Sequence, residues 1–92
     1  MKKINLGISG CLGRMGQVLI KSSKSNKNFK LVTLTENKPI NKEIVGIKLD
    51  LNTELAFKRT DVIVDFTVPK CTLDILQIAS KLKKRVVIGT TG

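Results

Sequence analysis

Apolar and polar positions change period several times along the chain, and each change marks an expected element. Ile4-Asn5-Leu6-Gly7-Ile8-Ser9 alternates apolar with small or polar residues and ends at Gly10, the pattern of a short strand entering a tight turn. From Gly13 the period lengthens. Met15, Val18 and Leu19 recur three and four residues apart, with Lys21 and Lys24 toward the end where cations suit the helix dipole. The spacing predicts a helix of about three turns, ended by the polar stretch Ser22 to Asn28. Phe29-Lys30-Leu31-Val32-Thr33-Leu34 alternates again and predicts a strand finishing near Thr35-Glu36. Asn37 through Glu43, carrying Pro39, reads as loop. A weak strand is expected around Ile47-Lys48-Leu49, then a helical turn from Thr53 to Lys58 capped by Thr53.

Val62-Ile63-Val64-Asp65-Phe66 is a near-continuous apolar run, the signature of a parallel strand covered on both faces. After Pro69, the residues Thr72, Ile75, Leu76, Ala79 and Leu82 fall at helical spacing, and Lys81, Lys83 and Lys84 crowd the far end. Arg85-Val86-Val87-Ile88 is another buried-type strand, running into Gly89-Thr90-Thr91-Gly92. Strand, helix, strand, weak element, strand, helix, strand is the order of an α/β fold with a Rossmann-like, doubly wound parallel sheet.

A length of 92 residues allows one small domain, of marginal stability without partners. With 41% hydrophobic and 26% charged residues the composition is that of an ordinary globular chain, and no apolar run approaches the roughly 20 residues that span a bilayer. The start, Met1-Lys2-Lys3, is basic like a signal-peptide n-region, but the apolar stretch after it is broken by Gly7, Ser9 and Gly10. A cytoplasmic chain without a membrane partner is expected. The two cysteines, Cys11 and Cys71, lack metal-ligand spacing and read as small buried residues, so no metal site is expected. Histidine is absent, and a proton donor for chemistry near neutral pH must come from elsewhere. Seventeen basic residues against seven acidic give a formal charge of +10, yet the lysines spread from Lys2 to Lys84 without a stripe. With three Phe and no Trp or Tyr to stack on bases, a nucleic-acid partner is not expected. A field of that sign favours anionic small ligands such as dinucleotides.

Gly10-Cys11-Leu12-Gly13-Arg14-Met15-Gly16 sits between the first strand and the first helix, a G-x-x-G-x-x-G variant of the dinucleotide fingerprint. The chemistry asks for glycine where the backbone turns sharply, where it approaches a pyrophosphate, and where helix packs on strand. Arg14 adds a forked cation at the same place. Glu36 follows Gly16 by twenty residues at the end of the second strand, where the fingerprint places the carboxylate that accepts from adenosine ribose hydroxyls. Glu36 favours NADH, whereas neutral Asn37 followed by Lys38, together with Arg14, tolerates the 2′-phosphate of NADPH; use of either nucleotide is expected. Phe66-Thr67-Val68-Pro69 and Gly89-Thr90-Thr91-Gly92 fall at strand C-termini, where open α/β sheets bind ligands. Their amides and hydroxyls suit a nicotinamide carboxamide or ribose, and Phe66 can wall the ring; Thr67 and Pro69 equally suit a helix start.

Gly-Arg-Met-Gly at 13–16, Asp-Phe-Thr-Val-Pro at 65–69 and Ile-Gly-Thr-Thr-Gly at 88–92, in that order over nearly the whole chain, resemble the dihydrodipicolinate reductase family. The resemblance implies reduction of a cyclic unsaturated dicarboxylate to tetrahydrodipicolinate by NAD(P)H, on the diaminopimelate route to lysine, in a homotetramer. It also implies that Gly10 to Met15 hold the pyrophosphate, Glu36 the adenosine ribose, and Gly89, Thr90 and Thr91 the nicotinamide side, with Thr91 near the substrate and Phe66 and Thr67 lining the same end. In that family a histidine pair, a lysine and a Ser-Gly-Thr loop belong to a C-terminal domain that builds the tetramer. Residues 1–92 would then be an incomplete, truncated N-terminal domain that does not turn over substrate alone. Two other readings are a non-catalytic NAD(H)-binding regulatory module and a dehydrogenase such as aspartate semialdehyde dehydrogenase, the latter disfavoured by the Asp-Phe-Thr-x-Pro and Gly-Thr-Thr-Gly strings.

Overall fold

A computed structural model describes residues 3–10, 12–66 and 69–89. In chain order the elements are β1 (Ile4–Ser9), α1 (Arg14–Ser25), β2 (Phe29–Glu36), β3 (Glu43–Ile44), β4 (Ile47–Lys48), β5 (Asp50–Leu51), α2 (Glu54–Phe57), β6 (Val62–Asp65), α3 (Pro69–Leu82) and β7 (Arg85–Ile88). Five strands form one sheet in the order β5-β2-β1-β6-β7, and every neighbouring pair is parallel. The chain winds from β1 outward to β5, then returns to the other side of β1 for β6 and β7. It is the Rossmann-like, doubly wound sheet that the pattern predicts, with its topological switch beside β1.

The register sorts the core into two layers. Leu6 and Ile8 of β1 pack with Ile20 of α1 and Leu34 of β2, with Val62 and Val64 against them. Ile63 of β6 packs with Phe57 of α2 and with Ile75 and Ala79 of α3. Side chains alternate across a strand, so α1 covers one face of the sheet while α2 and α3 cover the other. Gly7 belongs to the second face, where a Cβ would come within 2.7 Å of Thr60 Cγ2, so the helix-side layer requires glycine there.

Three expectations are corrected, the first of them on the helix that ends at Ser25, within the polar stretch expected to end it, where Ser23 Oγ donates to Ile20 O (2.9 Å) and Ser25 Oγ to Ser22 O (3.1 Å). Its buried face is Gly16, Ile20 and Ser23, with Leu19 half-buried, whereas Met15 and Val18 are 58% and 56% exposed. The weak third strand is not in the main sheet: Ile47–Lys48 pairs antiparallel with Glu43–Ile44, which lay at the edge of the expected loop. A Val45-Gly46 turn with positive φ at both residues closes that hairpin. The sheet's fifth strand is instead Asp50–Leu51, beside Thr35 and Glu36. Finally, β6 and β7 are not covered on both faces: Val62 and Val64 are half-buried, and Val87 and Ile88 are 56% and 46% exposed. The Thr53 cap forms as expected, its hydroxyl accepting from the Ala56 amide at 3.1 Å.

Candidate functional site

β1 and β2 finish level with each other, Ser9 opposite Thr35, and the chain leaves β1 through Gly10. Gly10 adopts φ +78°, a left-handed conformation in which a side chain is strained, and its amide donates to Thr35 O at 3.0 Å. The turn closes with the Gly13 amide on Gly10 O at 3.2 Å, and α1 begins as Gln17 N–H donates to Gly13 O at 3.0 Å. Gln17 Nε2 also donates to Leu12 O at 2.9 Å, fixing the loop onto the helix. Gly13 caps α1 without any side-chain hydrogen bond, and the first turn holds no acidic residue. The first amides of α1 therefore lack an intrahelical acceptor, and the positive end of the helix dipole faces outward beside exposed Arg14.

Glu36 completes this group. Its Oε2 accepts from the Leu12 amide at 2.8 Å, so the carboxylate at the end of β2 stands against the glycine turn, as the spacing predicts. The side chain of Asn37, next along, is exposed.

The glycines separate by what they would meet. At Gly13 the backbone is ordinary extended (φ −71°, ψ 168°), and a Cβ would contact only Gly10 O at 3.5 Å, a normal van der Waals distance. Among the described residues nothing demands glycine at that position. A Cβ there would rest at ordinary contact on the turn that a close-lying ligand approaches along bare backbone. Gly89 differs, since a Cβ on it would collide with the Phe66 ring. Its smallness has an internal cause, the seating of that ring.

Phe66 and Gly89 come together at the C-terminal ends of β6 and β7. The Phe66 amide donates to Ser9 O at 3.0 Å, one residue before the glycine turn, and the Gly89 amide donates to Asp65 O at 2.7 Å. Buried Asp65 also accepts from Thr72 Oγ1 at 2.5 Å, tying β6 to α3, which starts at Pro69. Of the expected site residues, Gly10, Leu12, Gly13, Arg14, Met15, Gly16 and Glu36 gather at one end of the sheet, with Asn37 adjoining and Phe66 and Gly89 across β1. Cys11, Thr67, Thr90 and Thr91 lie outside the described residues, as does the side chain of Cys71.

Sequence reasoning missed Asn52, directly after β5. Its Oδ1 accepts from Ser9 Oγ at 2.9 Å and Thr35 Oγ1 at 2.5 Å, joining the ends of β1 and β2 behind the turn. The available signal is a polar residue placed at a strand's C-terminal end, and that alone does not distinguish it from its neighbours. An apolar cleft of about 360 Å³, lined by Leu19, Phe29, Val62, Val64 and Val87 among others, lies on the sheet face beside α1 rather than at the turn. Among the described residues no cluster of His, Cys, Asp or Glu could hold a metal ion, and no helix is long and apolar enough to cross a membrane.

Comparisons with known proteins agree with this fold. The family model described as dihydrodipicolinate reductase, N-terminus, matches residues 4–92. The 4-hydroxy-tetrahydrodipicolinate reductase of Pelagibacter ubique (strain HTCC1062) is 83% identical over 92 residues, covering all of this chain and 36% of that protein. Among solved structures, dipicolinate-bound dihydrodipicolinate reductase from Paenisporosarcina sp. TG-14 has a TM-score of 0.81 at 25% identity, covering 99% of this chain and 38% of that one. Aspartate semialdehyde dehydrogenase with NADP from Candida albicans has a TM-score of 0.79 at 15% identity, over 98% of this chain and 30% of that one, a likeness of fold alone. The chain spans little more than a third of the length of the curated relatives it matches.

Proposed function

Since the chain belongs to the dihydrodipicolinate reductase family, we propose that it forms the nicotinamide-nucleotide site of a reductase converting 4-hydroxy-tetrahydrodipicolinate, a cyclic dicarboxylate, to tetrahydrodipicolinate on the diaminopimelate route to lysine. A bound NADH or NADPH would supply the hydride. Residues 1–92 act as the N-terminal nucleotide-binding domain of a cytoplasmic homotetramer, and the substrate-binding and proton-donating groups belong to a C-terminal domain outside this sequence.

The residues present fit the nucleotide. Gly10 provides the sharp turn, Gly13 the bare backbone for the pyrophosphate, and Gly16, buried in α1, the close helix–strand contact. Arg14, Met15 and the α1 amides meet the phosphates, with Cys11 and Leu12 completing the loop. Glu36 and Asn37 take the adenosine ribose. Phe66 and Gly89 line the nicotinamide end, to which the family resemblance also assigns Thr67, Thr90 and Thr91. Glu36 favours the free ribose hydroxyls of NADH, while Arg14 and Lys38 offer cations to the 2′-phosphate of NADPH, so both nucleotides bind. The observation that carries this reading is Gly13, where a Cβ would crowd nothing among the described residues. Calorimetric titration with NADH and NADPH, beside a turnover assay, is expected to give saturable one-site binding and no turnover. A folded chain that binds neither nucleotide would contradict it.

A further inference from the structure

We propose that Asn52 is a positioning residue that sets the preference between NADH and NADPH, an inference that rests on the nucleotide reading above. Asn52 follows β5, the outermost strand on the β2 side, and its carboxamide reaches across β2 to β1. Ser9 and Thr35 are fully buried, and each donates its single hydroxyl proton to the same Asn52 oxygen, at 2.9 and 2.5 Å. A buried hydroxyl without an acceptor costs free energy, so losing that oxygen leaves two unpaired donors at neighbouring strand ends.

Those ends launch both parts of the proposed cradle. Ser9 precedes Gly10, the first residue of the phosphate turn, and Thr35 precedes Glu36. The Thr35 carbonyl accepts from the Gly10 amide at 3.0 Å, and Glu36 accepts from the Leu12 amide at 2.8 Å, so turn and carboxylate are held in one frame with Asn52 at its back. Among the described residues Asn52 hydrogen-bonds to neither part. It acts through Ser9 and Thr35, and what it fixes is the place of the Glu36 carboxylate relative to the turn.

The two nucleotides read that place differently. For NADH, Glu36 accepts from the ribose hydroxyls; for NADPH, the same carboxylate repels the 2′-phosphate. Freeing the end of β2 removes an attraction from one ligand and a repulsion from the other. A residue that merely stabilised the fold would weaken both alike.

The test is titration of the 92-residue chain and its Asn52→Ala variant with NADH and with NADPH. Loss of a buried hydrogen-bond acceptor of this kind is expected to raise the NADH Kd about tenfold while moving the NADPH Kd by less than about threefold. Equal losses for the two nucleotides, or no change in either, would overturn the proposal and leave the nucleotide reading standing. An unaltered chain that binds neither nucleotide would remove both. Thr35→Val, nearly isosteric, breaks the same link without emptying the Asn52 position and keeps the test decisive if Asn52→Ala does not fold. It is expected to shift the ratio of the two Kd values in the same direction, and an unshifted ratio would overturn the proposal.

Discussion

Gly7, Gly13 and Gly89 share one residue type for three different physical reasons. Gly7 is fixed by packing, with Thr60 Cγ2 2.7 Å from where its Cβ would lie and with Phe57 and Thr33 close behind. Gly7→Ala is therefore expected to cost about 1–3 kcal/mol as an overpacked core, read as a drop in thermal midpoint. Thr60→Ser, which removes that methyl group, should recover part of the loss in the double variant; full additivity would contradict the contact. Gly13 is fixed by nothing among the described residues, and Gly89 by the Phe66 ring. Sequence spacing alone brought out Gly10, Gly13, Gly16 and Glu36, because a strand, a turn and a helix in succession force their relative positions. It could not separate the packing glycines from Gly13, since that distinction depends on which side chains arrive from other elements. Asn52 escaped for the same reason. Its role exists only once β5, β2 and β1 stand side by side.

At the scale of elements, β1, β2, β6, β7 and α3 were legible, because a run of alternating or continuous apolar residues between turn signals suits few other structures. The errors came where local chemistry outweighed the pattern. Val18 is apolar and at helical spacing but exposed, because α1 buries Gly16, Ile20 and Ser23 instead, Ile20 packing with Leu6, Ile8 and Leu34. β5 is two residues long, and no periodicity can announce a strand of that length. What identifies it is its pairing with Thr35 and Glu36, a tertiary fact.

Over the whole molecule, helices cover both sheet faces around β1, but protection thins toward β7. Val87 and Ile88 are more than two-fifths exposed, and the cleft beside α1 opens over Val62, Val64 and Val87. Among the described residues nothing pairs with the outer side of β7. An exposed apolar edge strand is a template for association, opposed here by a formal charge of +10. Sedimentation velocity is expected to show concentration-dependent association that grows as salt screens the charge and falls in Val87→Lys. A chain that stays monomeric at high salt would contradict the expectation. The opposite feature, the open backbone at Gly13, bears the functional account. That account is tested most directly by NADH titration of Gly13→Val beside the unaltered chain. The fold should persist, because among the described residues a Cβ there meets only Gly10 O at 3.5 Å, and the lost helix cap should cost no more than about 1 kcal/mol. The account predicts an unchanged circular dichroism spectrum with NADH binding abolished; a folded variant that binds NADH as tightly as the unaltered chain would contradict it.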